Sequence, residues 1–140
     1  MSTYIETANV NLETALRAVQ LGIEEGAKRG IAVIVTVSDS AMSPVAYGRA
    51  DGSTPHSIET SRRKAATSAS TRKATGYMQG ELATALPLGT GQILTNIRGG
   101  VPLVFAGRHV GGLGIAGGLP DQDAEIALAV VERLGADTPA

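Results

Sequence analysis

Three features of the chain predict an α/β (α+β) fold. It begins and ends on amphipathic helical stripes, its β-branched runs come in pairs joined by tight turns, and an alanine-rich helix separates the two groups of runs. Hairpin-joined strands make a mostly antiparallel sheet, and helices at the ends and centre can cover both of its faces. A length of 140 residues fits one domain, 1–140, with a single core.

Leu12, Leu16, Val19 and Ile23 recur on one stripe, so a first helix runs from about Leu12 to Arg29, with Asn11 as N-cap and Gly30 as stop. The nearly continuous β-branched run Ile31–Asp39 reads as a central strand covered on both faces. Turn residues from Asp39 to Pro44 return the chain as a second strand, Val45–Arg49. Thr54 and Pro55 suit the N-cap and N1 positions of a second helix, about His56 to Lys73. Its Ala65, Ala66 and Ala69 form a smooth face, suited to another helix, a flat ligand or a neighbouring subunit. A short third helix within Gly76–Leu86 ends at Pro87 and Gly89. Gln92–Ile97, Pro102–Ala106 and Val110–Ala116 read as three more strands, the last two joined around Gly107-Arg108-His109. A closing helix from about Asp121 to Leu134 buries Ile126, Val130 and Leu134. The predicted sheet therefore has five strands.

Hydrophobic residues at 43% and charged residues at 18% describe a globular chain, not a disordered one. A formal net charge of −1 and a shortage of aromatic rings for base stacking argue against nucleic acid as a partner. With no Cys, disulfides, thiolate nucleophiles and Cys-based metal sites are excluded. The start MSTYIETANV has no signal-peptide pattern, and no apolar run is long enough for a bilayer, so no membrane association and a cytoplasmic setting are expected. No set of residues has metal-ligand spacing, and no Walker loop, nucleophile elbow or HExxH occurs. Gly112-x-Gly114-x-x-Gly117 satisfies GxGxxG, but it lies inside a strand and is no dinucleotide fingerprint.

Several residues are candidates for chemistry. His56, at a helix start, suits an acid, a base or an axial ligand. Lys64 stands two helical turns further on, a rise of about 12 Å, and offers a flexible point charge for a carboxylate. Arg49 ends a strand just before Asp51-Gly52, and its planar fork suits bidentate carboxylate binding. Glycines at 112, 114 and 117 would let a ligand approach the main chain, and Gly117-Gly118 opens onto the N-terminus of the last helix. Asp121, Asp123 and Glu125 crowd that first turn and complement the helix dipole, which favours a neutral, hydrogen-bonding ligand there. His109 reads as a surface turn residue, and Arg62 and Arg63 as a solvated helix face.

Asp39 at the end of the first strand, Arg49-x-Asp51-Gly52, Lys64-Ala65-x-Thr67, Gly99-Gly100-x-Pro102 and Gly112-x-Gly114-x-x-Gly117-Gly118 followed by Gln122-Asp123 occur in that order. In this order and spacing, over nearly the whole chain, the sequence resembles the GlcG/HbpS-like family, which includes the haem-binding C-terminal domain of PduO-type proteins. The resemblance implies a profilin-like α/β/α sandwich with a five-stranded antiparallel sheet. It also implies a homo-oligomer, an octamer or a smaller symmetric assembly, and binding of haem or another tetrapyrrole, with some members in operons for small-carboxylate or diol catabolism. By position it places Arg49, Asp51, Lys64, Thr67 and Asp123 around the site.

Two readings follow. In one, the chain binds haem or a related planar small-molecule ligand through Arg49, Asp51, His56, Thr67, Gly114 and Gly117. In the other, it is a cofactor-independent lyase or isomerase acting on a small carboxylate, with Arg49 and Lys64 anchoring the anion and His56 moving a proton. Both expect Arg49→Ala and Lys64→Ala to impair function with little change in melting temperature.

Overall fold

Two hairpins build the sheet of the computed structural model, which describes all 140 residues. The elements run α1 (Leu12–Lys28), β1 (Ile34–Asp39), β2 (Pro44–Arg49), α2 (Ser57–Thr71), α3 (Leu82–Gly89), β3 (Gly100–Phe105), β4 (Arg108–Ala116) and α4 (Pro120–Leu134). The strand order is β2-β1-β4-β3, and every pairing is antiparallel. No helix is long and apolar enough to cross a membrane.

Alternation along the strands sorts the side chains between two faces. Val33, Val35, Val37, Leu113 and Ile115 join Ala15, Ala18, Ile126 and Val130 of α1 and α4 in the main core. The other face is covered by α2 and is partly polar: Thr36 Oγ1 and Ser61 Oγ are hydrogen-bonded at 2.8 Å, fully buried. Asn11 caps α1, accepting from Thr14 N at 2.8 Å, and Gly30 takes a φ of 71° just beyond it. Asp39 closes the β1–β2 turn by accepting from Ala41 N (2.9 Å) and Ser43 N (3.0 Å), a local reason for an aspartate there.

The sheet has four strands, not five. Gln92–Ile97 has the β-branched content of a strand, with Ile93, Thr95 and Ile97, but spends its backbone donors elsewhere. Leu94 N donates to Thr90 Oγ1, Thr95 N to Thr67 Oγ1 and Ile97 N to Thr95 Oγ1, so the segment lies along α2 instead of extending the β3 edge. The β3–β4 turn is also displaced by one position. Ala106 and Gly107 occupy it with φ of 49° and 80°, and Arg108 and His109 already belong to β4. His109 is half-buried, and its Nε2 donates to Ala69 O at 2.8 Å, which makes it a brace between β4 and the end of α2 rather than a surface turn residue.

The alanine face of α2 is not left for a partner. Ala65, Ala66 and Ala69 are buried within the chain, against a strand stripped of side chains. A Cβ on Gly112 would lie 2.6 Å from Ala69 N, and one on Gly114 the same distance from Ala65 N. Glycine in β4 and alanine in α2 thus bring two backbones into direct contact.

One carboxylate ties α1 to α4. Glu25, buried on α1, accepts from Lys28 (2.7 Å), Arg29 (3.1 Å) and Arg133 (2.9 Å). The hydrogen bond from Lys28, with those from Arg29 and Arg133, outweighs burial and lowers its carboxyl from 4.5 to about 2. The folded value lies below the unfolded one, so this stabilisation is fully present above the unfolded value and is lost as pH falls towards 2. Glu25→Gln is expected to cost about 1–2 kcal/mol at neutral pH, because Lys28 and Arg133 reach it partly through solvent. Thermal melts from pH 7 down to 2.5 should show wild type and variant converging on acidification.

Candidate functional site

The open end of the molecule lies where β4 runs into α4 and the β2–α2 loop runs into α2. A cleft of about 480 Å³ is lined there by Ile31, Thr54, His56, Gly117, Leu119 and Gln122. A smaller one of about 210 Å³ adjoins it, and the two share His56, Ser57, Gly117 and Gly118. Ile97, Thr60, Lys64 and Asp123 line the smaller cleft.

His56 stands at this junction because the chain turns into α2 there. Ser57 N donates to Thr54 O at 3.0 Å, and the Thr54 and Ser57 hydroxyls are hydrogen-bonded at 2.6 Å. Helix α2 starts at Ser57, one residue later than the sequence suggests, with His56 in the capping position and already in the right-handed helical region (φ −66°, ψ −17°). Its imidazole is exposed, and neither ring nitrogen is bonded to the protein. On the opposite wall, Gly117 has a φ of 130°, and a Cβ there would come within 2.7 Å of Ala32 O. The α4 N-terminus is closed by the chain itself: Leu119 N donates to Gln122 Oε1 and Gly118 N to Asp123 Oδ1, both at 2.9 Å.

Lys64 and Asp123 form the floor, and they are already paired. Lys64 Nζ lies 3.0 Å from Asp123 Oδ2 and donates to Ile115 O at 2.8 Å, with the two side chains 1% and 2% exposed. Burial pushes the ammonium below its ordinary value, and the Asp123 carboxylate opposes that fall. Asp123 is therefore not a solvated helix-dipole acid. It links α2, β4 and α4 at one point.

The other expected site residues lie apart. Arg49 and Asp51 are exposed, form no ion pair with each other and line no cleft. Thr67 is fully buried, donating to Arg63 O at 2.7 Å and accepting from Thr95 N at 2.9 Å, which holds the 92–97 segment on α2. Gly114 lies beneath α2, where no ligand reaches it. The structure thus gathers His56, Lys64, Asp123 and Gly117 and leaves Arg49, Asp51, Thr67 and Gly114 outside. Thr54, Gln122, Ile31 and Leu119 join the site unannounced by spacing, although Gln122 flanks the Gly117-Gly118 motif.

The comparisons agree with this architecture. Residues 10–132 match the family model described as haem degrading protein HbpS-like. The chain is 32% identical over 105 residues to Protein GlcG of Escherichia coli strain K12, covering 74% of this chain and 78% of that protein. The crystal structure of a double mutant of Streptomyces reticuli HbpS superposes with a TM-score of 0.84 at 30% identity, covering 96% of this chain and 93% of that one. A PduOC:haem complex shares the fold, with a TM-score of 0.87 at 21% identity over 95% of this chain and 100% of that one. The chain belongs to the HbpS-like family.

Proposed function

We propose that this protein binds haem or a related planar tetrapyrrole in the cleft beside His56. The observation that carries the reading is an imidazole with both nitrogens free, standing where two clefts meet. Haem iron takes a histidine nitrogen as axial ligand, and ligand sites combine apolar walls with a few convergent polar groups. Leu119, Ile31 and Ile97 offer the apolar contacts, and Thr54, Thr60 and Gln122 offer hydrogen bonds to peripheral polar groups. The haem-bound neighbour and the family description support the same choice. Bound haem would supply redox and oxygen chemistry at its iron; the chain's own part is to hold the macrocycle and limit access of water.

A homo-oligomer, an octamer or a smaller symmetric assembly, fits this reading. Helix α3 has no buried residue, and Leu82, Leu88, Ile93 and Ile97 are exposed around it. A second copy covering that surface would also close the cleft edge at Ile97. The lyase or isomerase reading takes Arg49 or Lys64 as its anion anchor, whereas Lys64 Nζ is already shared between Asp123 and the Ile115 carbonyl and Arg49 lines neither cleft beside His56.

Titration of the purified protein with hemin tests the proposal. A sharpened, shifted Soret band saturating at a fixed haem-to-chain ratio is expected, with His56→Ala weakening binding roughly tenfold or more. No saturable band, or an unchanged band and affinity in His56→Ala, would overturn it.

A further inference from the structure

At the other end of β4, about 30 Å from Gly117 by strand rise, lies a second cleft, of about 510 Å³. It is almost wholly polar, with Arg72, Arg108, His109, Ser40 and Glu6 in its walls. Three separate parts of the chain are fixed around it. The N-terminal segment is held by Val10 N donating to Val110 O (2.9 Å) and by Asn9 Oδ1 accepting from Ser40 N (3.1 Å). The turn before Arg108 is clamped by Asp137, which accepts from Ala106 N (3.2 Å) and Gly107 N (2.7 Å). Arg72 caps α2 in the left-handed conformation, with φ 60°.

The charges here are unspent. Arg29, Arg62, Arg98 and Arg133 all pair with carboxylates, whereas Arg72 and Arg108 form no ion pair and no side-chain hydrogen bond within the chain. Arg17 and Arg49 are unpaired too, but neither faces a cleft. Beside the two guanidinium groups, His109 donates through Nε2 to Ala69 O, and its buried Nδ1 has no partner. Burial and the nearby Arg72 charge hold the ring below its ordinary value, against the opposing pull of its hydrogen bond to Ala69 O. Glu6 offsets one of the two arginine charges and leaves the lining net positive. Two arginines lining one concave polar space, neither of them ion-paired to a carboxylate of the chain, match an oxyanion carrying at least two charges.

We propose that this cleft is a second binding site, taking a compact polyvalent oxyanion, a phosphate or a polycarboxylate, between Arg72 and Arg108. It is independent of the haem reading, because it shares no residue with the His56 clefts.

Calorimetry and thermal melts with inorganic phosphate and with citrate, at ionic strength fixed by sodium chloride, test it. Saturable binding of at least one anion is expected. An Arg72→Ala/Arg108→Ala double variant should weaken it roughly tenfold or more, Glu6→Gln should tighten it, and Arg17→Ala should leave it unchanged. Binding of phosphate alone assigns a phosphate-bearing ligand, and binding of citrate alone assigns a polycarboxylate. If neither binds beyond the sodium chloride control, or if the double variant binds as wild type does, the site does not exist.

Discussion

Lys64→Met is expected to lower the melting temperature by about 10–15 °C, corresponding to a loss of about 3–5 kcal/mol for breaking a buried ion pair from one side. The methionine fills much of the lysine's volume, so the loss comes from charge rather than a cavity. Asp123 would be left 2% exposed with a single donor, Gly118 N, and the Ile115 carbonyl would lose its partner. This reverses the sequence expectation that replacing Lys64 would spare stability. An exposed lysine waiting for a carboxylate would be thermally silent, and this one stitches α2 to β4 and α4. Calorimetric melts of Lys64→Met beside Arg49→Ala separate the two cases. Arg49 is exposed and unpaired, and its variant should melt within a degree or two of wild type.

Gly114→Ala is expected to cost about 3 kcal/mol or more, the upper range for overpacking, or to leave the chain insoluble. The added methyl would fall inside the van der Waals envelope of the Ser61 carbonyl oxygen, 2.6 Å from Ala65 N and 3.1 Å from Lys64 Cβ. Two of these obstacles are α2 backbone, and the helix cannot lift away. The Thr36–Ser61 hydrogen bond and the Lys64–Asp123 pair hold it on the sheet. Gly89→Ala is the control: a Cβ there meets nothing within 4 Å, and its φ is ordinary. Soluble yield and denaturation midpoints of the two variants should differ sharply. Equal midpoints would mean that α2 does not sit on β4 as described.

Local pattern accounts for the elements that were legible. The 3.6-residue stripe of α4, the Asn11 cap, the Gly30 stop and the β1–β2 hairpin all depend on residues close in sequence. Helix α1 forms where expected but turns a different face inward: Ala15, Ala18, Val19, Leu21 and Gly22 are buried, and Leu12 and Leu16 of the expected stripe are exposed, because small residues let the helix lie close on the sheet. Gln92–Ile97 shows the limit of local composition: its β-branched residues suit a strand, but whether a strand pairs depends on what lies beside it, and there α2 offers Thr67 Oγ1. The glycines of β4 were also ambiguous. A bare backbone suits a ligand or a helix equally, and only the fold assigns Gly112 and Gly114 to α2 while leaving Gly117 at the cleft.

By itself the sequence determined the α/β class, the two hairpins, the terminal helices and the family, because each rests on periodicity, turn chemistry or an ordered motif. Tertiary structure alone decided what the charged residues do. Lys64 and Asp123 are 59 residues apart and meet only after α2 and α4 pack at the end of β4, where low polarity makes pairing obligatory. Arg72 and Arg108 fall around one cleft only because the end of α2 and the start of β4 meet at the same end of the sheet. A charge's role is set by its distance from its counter-charge and from water, and neither distance is written in the order of residues.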